Sequence, residues 1–477
     1  MADSYLTKDF GSAGNRKTMT FSFWVKRNRL GTGGDTQELF IGDAQSSYPS
    51  HFIDFDSANK LDIRSQDGVS GATLRFISDR KFVDTTSWYH IVVAIDTTQA
   101  SAGDRCKAWA NGEQITSWGT STQSNGFGQN SDTNFNSGAS TEYIGKHYNH
   151  YSNFNLAHYH FVDGTALTPS TFGETDSTTG EWKPKLNPSV TYGTHGFFLK
   201  FENSGALGTD SSGNSKTWTV NGNVKQSVST PSNVFCTLDT NQAYLPASVD
   251  YAGTAYLGTS ASADGCASTQ MVKNGKWYFE VKLGTDRTTS DSATISISKN
   301  GTHAQRRWRN SGGANAIVGK ETGSNGCEGI TYQPLTSTPN IIDDGGGGTV
   351  NYGSQASEND IIMVAVDLSA ATSKIWFGKN GTWFNAPSTS SAGDPANGNY
   401  AGLSFAKGDD FWGINITAVS NQANNANKYM YVNFGEGRFG TTAVASGNAD
   451  DNSVGVFEYD VPSGFYAICT KNIKSYG

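Results

Sequence analysis

At 477 residues the chain is longer than one hydrophobic core supports, since cores stop growing at roughly 250–300 residues, so two or three domains are expected. With 36% hydrophobic, 16% charged and 12% aromatic residues it is too polar for a membrane protein and too aromatic for a disordered chain. The formal charge of −8, with no Lys or Arg run that would match a phosphate backbone, argues against nucleic acid as a partner.

The first residues, Met1 to Asp9, lack a basic-then-apolar secretion pattern, and no apolar stretch approaches the roughly 18–20 residues of a membrane helix. Neither a cleaved signal nor a membrane insertion is expected. From there the chain reads as short β-strands. Phe21, Phe23 and Val25 repeat at period two, which sends one face of a strand to a core. The run Tyr89–Ile95 is apolar on both faces and suits a strand covered on two sides. The one short helix suggested lies at Thr168–Phe172, with Thr168 as cap and Pro169 in the first helical position.

Farther along, Trp277, Phe279, Val281 and Leu283 share one strand face, and Tyr278, Glu280 and Lys282 the other. The run Ile361–Val366 again suits a strand covered on both sides. Eight Asn-Gly pairs, including Asn111-Gly112 and Asn380-Gly381, carry the positive φ angles of tight hairpin turns. No heptads occur, so no coiled-coil stalk is expected. The fold class is therefore all-β: two antiparallel, jelly-roll-like β-sandwiches in series. The Gly/Ser/Asn-rich stretch from Gly205 to Asn233 is their boundary, giving 1–202, a linker over 203–230, and 231–477.

Met19–Lys26, Ser87–Asp96, Lys107–Gln114 and Glu142–Gly145 resemble the laminin-G-like, concanavalin A-like lectin sandwich over most of residues 1–202. The stretch Leu156–Glu174, with Trp182–Pro184 and Tyr192–Leu199, is similar to a version found in structural proteins of marine tailed bacteriophages. Gly275–Val281, Asp360–Asp367, Trp376–Trp383, Val432–Gly435 and Pro462–Cys469 resemble a SPRY (B30.2-like) sandwich over 231–477. The pairing implies a virion protein, a tail fibre or related appendage. It would recognise a host surface glycan or receptor, contact other virion proteins and form a homo-oligomer. The alternatives are a capsid or tail decoration protein that meets only virion proteins, and a glycan depolymerase.

The chemistry-bearing motifs point away from catalysis. There is no E-x-D-x-x-E pair of carboxylates aimed at one glycosidic bond, and no G-x-S-x-G, H-E-x-x-H or G-x-x-x-x-G-K-[ST]. A non-enzyme without cofactor is expected. Four of the eight histidines fall in one stretch, His147, His150, His158 and His160. They read either as a metal site or as packed, hydrogen-bonded imidazoles, and no metal is assigned to them.

The loop with Tyr148, His150, Tyr151 and Phe154 offers aromatic faces for sugar C–H groups, and Asn149, Asn153 and Asn155 beside it offer hydrogen bonds to hydroxyls. The same aromatics could instead plug the sandwich end or meet a neighbouring subunit. Asp54, Asp56, Asp62 and Asp163 are calcium-ligand types without a dense ligand loop, and read as solvated loop carboxylates. In the second half Arg306, Arg307 and Trp308 combine guanidinium and indole groups as interface hot spots do, or are a half-buried ring with solvated arginines. The five cysteines contain no C-x-x-C pair and read as free, mostly buried thiols.

Overall fold

The computed structural model describes residues 4–31, 35–42, 50–66, 73–121, 128–177, 180–239, 248–258, 265–285, 292–299, 329–343, 348–419 and 428–477. Arg306, Arg307 and Trp308 lie outside the described residues, as does Cys327. The chain divides into two compact units, Met1–Ser232 and Asn233–Gly477, each built of predominantly antiparallel sheets.

In the first unit an eight-stranded sheet runs, edge to edge, through Trp118–Ser121, Thr73–Lys81, Lys60–Gln66, His51–Phe55, Gln37–Gly42, Glu142–Ile144, Tyr5–Lys8 and Thr219–Asn221. A six-stranded sheet runs through Phe197–Leu199, Phe154–Asp163, Thr18–Arg27, Tyr89–Asp96, Cys106–Ala110 and Glu113–Gln114. Phe21, Phe23, Val25, Ile91 and Val93 from one sheet pack with Ile53, Phe55, Leu61, Ile63 and Phe76 from the other, as alternation requires. The outer side of the smaller sheet is also covered. Val92, Ala94 and Val162 pack there against Phe172, Tyr192 and Phe198, which is why Tyr89–Ile95 reads as apolar on both faces.

The stretch expected as a linker belongs to this first unit. Trp218 is buried against Phe40 and Phe197, and Thr219–Asn221 pairs with Tyr5–Lys8 as an edge strand. One indole supplies burial that the polar composition around it conceals.

The second unit joins a nine-stranded and a six-stranded sheet around Trp277, Phe279, Val281, Ile295, Ile362, Val364 and Ile414. The opposite face of Lys276–Leu283 is no solvent face. Tyr278 packs with Phe235, Met363, Trp376, Phe457 and Phe465, and Glu280 is fully buried beside it. Glu280 accepts hydrogen bonds from the N–H groups of Glu458 (3.0 Å) and Tyr459 (2.9 Å), from the Tyr278 hydroxyl (3.0 Å) and from Asn433 Nδ2 (3.2 Å). Burial outweighs these donors and pushes its carboxyl up to about 7.

Asn111 and Gly112 (φ 52° and 84°) and Asn380 and Gly381 (φ 51° and 85°) close hairpins in the positive-φ conformation expected. The helix expected at Thr168–Phe172 is one short 3₁₀ turn, Pro169–Thr171, and the α-helix present among the described residues is Thr470–Tyr476. Cys106, Cys236, Cys266 and Cys469 are free and buried.

Candidate functional site

Strand Glu142–Ile144 lies between Gln37–Gly42 and Tyr5–Lys8, in register Tyr143↔Ile41 and Thr7↔Tyr143. Leu6 and Ile144 face the core, so Tyr5 and Tyr143 face outward. After Gly145 the chain forms a small hairpin, Lys146–His147 against His150–Tyr151. Its turn places Tyr148 at φ +51°, in the left-handed region, and leaves the residue 47% exposed. A two-residue turn normally puts glycine at such a position, so the exposed ring is held at a local conformational cost.

Behind the turn, Lys146 is buried among tyrosines. Its Nζ lies 4.5 Å from the Tyr5 ring centroid, 5.6 Å from Tyr151 and 6.0 Å from Tyr143. These rings are mutual neighbours, Tyr5 with Tyr143 at 6.1 Å and with Tyr151 at 5.9 Å. Cation–π attraction fixes the cage and the hairpin above it. Carboxylates line the hairpin's other side. His147 Nδ1 lies 3.4 Å from Glu38 Oε1, and His150 Nδ1 lies 3.2 Å from Asp35, which also pairs with Arg29 at 3.5 Å. Ser152 ties the hairpin down: its hydroxyl accepts the Glu38 N–H (2.8 Å) and donates to Glu38 Oε2 (3.3 Å).

The structure thus brings Tyr148, His150 and Tyr151 onto one hairpin. Tyr148 and His150 are exposed, and Tyr151 belongs to the cage. Phe154 is not joined to them. It shares the inward face of its strand with Leu156 and packs against the core. Asn155 is engaged within the fold, accepting from Asn28 Nδ2 at 2.6 Å. Tyr5, Asp35 and Glu38 escaped the sequence reading because they lie more than 100 residues from the hairpin, and Tyr143 and Lys146 because they read as ordinary strand positions.

The four clustered histidines separate. His147 and His150 meet carboxylates, whereas His158 and His160 pack on the outer side of the smaller sheet. A β-bulge places His158 at φ +46°, with its ring 6.4 Å from that of His160. His160 stacks on Phe198 at 3.9 Å and its Nδ1 lies 2.8 Å from the Tyr192 hydroxyl. Burial lowers both pKa values, the behaviour of packed neutral imidazoles. Among the described residues no group of three His, Cys, Asp or Glu is placed to hold a metal ion.

The carboxylates read as solvated differ most from expectation. Asp54 and Asp62 are strand residues, 5% and 3% exposed, and lie directly opposite each other. Asp163 is a buried bracket that accepts the N–H groups of Asn15 (2.8 Å) and His195 (3.0 Å) and Asn136 Nδ2 (2.8 Å). Only Asp56 behaves as a turn residue, accepting the N–H groups of Ala58 and Lys60.

This architecture is that of an all-β chain of two sandwich units carrying an aromatic and charged hairpin site. Residues 2–171 match the family described as the concanavalin A-like lectin/glucanases superfamily. No curated protein matches the chain. Among solved structures, the SPRY domain of human HERC1 is similar at 14% identity, covering 41% of this chain and 96% of that chain, with a TM-score of 0.27. The native heptameric SAP-like pentraxin from Limulus polyphemus is similar at 15% identity, covering 40% of this chain and 90% of that chain, with a TM-score of 0.26. No helix among the described residues is long and apolar enough to cross a membrane.

Proposed function

We propose that the chain is a non-catalytic recognition protein whose first unit binds carbohydrate through the Lys146–Tyr151 hairpin. The observation that carries this reading is Tyr148, an exposed aromatic ring held at positive φ above a rigid cation–tyrosine cage within the lectin-like region. Aromatic faces stack on sugar C–H surfaces, and the exposed Asn149 and His150, which follow Tyr148 in the turn, offer groups that pair with hydroxyls, His150 lying against Asp35.

The setting belongs to the same proposal: a tailed-bacteriophage virion, in which the chain is a tail fibre or related appendage. It recognises a host surface glycan, contacts other virion proteins and acts as a homo-oligomer, so that weak sites gain by repetition. The Leu156–Glu174, Trp182–Pro184 and Tyr192–Leu199 resemblance supports this setting, and the SPRY-like reading of residues 231–477 completes it. The test is binding of the labelled full-length chain, clustered on streptavidin, to a glycan array and to bacterial cells. Saturable binding that Tyr148→Ala and Tyr151→Ala abolish supports the reading. Absence of binding in both formats overturns it and leaves a decoration protein that meets only virion components. Release of sugar from the array would mark a depolymerase.

A further inference from the structure

We propose that a second sugar subsite lies on the outer face of the eight-stranded sheet, where Phe52, Asp54, Asp62 and Arg64 form a two-by-two patch suited to the vicinal hydroxyls of a neutral sugar. The inference rests on the carbohydrate reading above and deepens it by naming a place and a ligand class.

The geometry follows from register. Phe52 pairs with Arg64 and Asp54 with Asp62 across neighbouring strands. Within each strand the two residues are two apart, so all four side chains leave the sheet on one side. Ile53, Phe55, Leu61 and Ile63 fill the core side, which makes the other side the outer one. Strand spacing and rise give a patch of about 5 Å by 7 Å, the footprint of one sugar ring. The Arg64 guanidinium lies 5.8 Å from the Phe52 ring centroid. Phe52 also packs with Ile41 and Tyr143, so the patch continues the row of outward residues that ends in the Lys146 cage.

The second observation is the state of the polar atoms. Asp54 Oδ1, Asp62 Oδ1 and Arg64 Nε are buried and have no hydrogen-bond partner among the described residues. Asp54 itself is 95% buried by its 5% exposure, and Glu38 faces it from the adjoining strand. Leaving such groups dry is costly, and the fold meets only part of the need, through Arg75 Nη2 donating to Asp62 Oδ2 at 3.0 Å. Arg64 is partly exposed and the Arg75 side chain is 39% exposed, so the patch opens to solvent along the two arginines. The ladder slips between Lys60 and Asp62, an irregularity that re-aims side chains beside binding sites.

These atoms select a ligand class. An ammonium would satisfy the carboxylates and repel Arg64. A carboxylated sugar would satisfy Arg64 and meet Asp54, Asp62 and Glu38. A hydroxyl donates to a carboxyl oxygen and accepts from a guanidinium N–H, and two adjacent hydroxyls engage both Asp54 and Asp62 beside Arg64.

The experiment uses the full-length chain on an array of glycans ending in neutral hexoses, N-acetylhexosamines, uronic acids or sialic acid. Variants are Asp54→Asn, Arg64→Met and Tyr148→Ala, each checked for an unchanged melting transition. Neutral glycans should bind at least tenfold better than acidic ones, and Asp54→Asn or Arg64→Met should weaken them at least tenfold. If Tyr148→Ala removes binding while both patch variants bind like the parent, the patch holds only solvent; the subsite falls and the hairpin reading stands. A preference for acidic glycans overturns the ligand class. If the parent chain binds no glycan, both readings fall together. Should Arg64→Met not fold, the near-isosteric Asp54→Asn decides.

Discussion

Replacing Trp218 with Ala tests whether the stretch after residue 202 is part of the first sandwich. The indole is 2% exposed, with its ring 5.0 Å from Phe197 and 6.3 Å from Phe40, both edge-on. The backbone N–H of Trp218 donates to the Gly208 carbonyl at 2.8 Å, and the next residues pair with Tyr5–Lys8. A buried indole removes about 150–250 Å² from water, worth about 4–6 kcal/mol at ~25 cal/mol/Å² against a fully extended chain. Truncation to Ala in a core costs about 3–5 kcal/mol by the cavity it leaves. For a unit of this size that lowers its melting temperature by roughly 6–20 °C. Calorimetry of the full-length chain should show the first-unit transition falling by that amount while the second-unit transition stays in place. A companion comparison of fragments should find 1–232 folded and 1–202 not. A fall of less than about 2 °C, or a 1–202 fragment melting like 1–232, would refute the assignment.

Tyr148→Gly should relieve the positive-φ cost and stabilise the first unit by about 1 kcal/mol while removing glycan binding, so a melting scan and an array should move in opposite senses. Gly42→Ala places a Cβ 2.0 Å from Cε1 of His51, whose Nε2 lies 2.8 Å from Glu142 in the core. A loss of about 1–3 kcal/mol is expected in urea titrations, and a neutral effect would show that His51 does not fill that space. Glu280, held at about 7 when folded against an ordinary 4.5, gives the second unit stability that is full below pH 4.5 and lost as pH rises through 7. The loss amounts to about 3 kcal/mol, and Glu280→Gln should flatten that part of the pH profile. An unchanged slope in the variant would assign the dependence elsewhere.

The strands were largely legible because alternation is local. Phe21, Phe23 and Val25, or Trp277, Phe279 and Val281, declare their core face within a few residues. The Asn-Gly turns were legible for the same reason. What escaped depends on chain that returns from far away. Tyr278 and Glu280 look like a solvent face until residues 454–469 cover them. Trp218 sits in linker-like composition and finds its partners through Phe40 and Phe197. At the candidate site, Tyr148, His150 and Tyr151 were identifiable by type and clustering. The cage depends on Tyr5, brought alongside by sheet order, and Phe154 was misleading because period two turns it inward. Asp54 and Asp62 resembled loop carboxylates because an acidic residue within a strand carries no sequence mark of its burial.

The second unit closes on itself by joining its first and last segments. Val234 and Thr470 exchange hydrogen bonds, the Cys236 N–H donates to the Ile468 carbonyl, and Tyr466–Ala467 adds in parallel to Lys276–Leu283. During synthesis, Phe235, Tyr278, Met363 and Trp376 must wait uncovered until residues beyond 450 are made, so this unit folds late and depends on protection of that apolar face. The same closure sets its entry and exit points side by side. A module with that property can be carried in a loop of another protein, or reopened elsewhere along its chain, without disturbing its sheets.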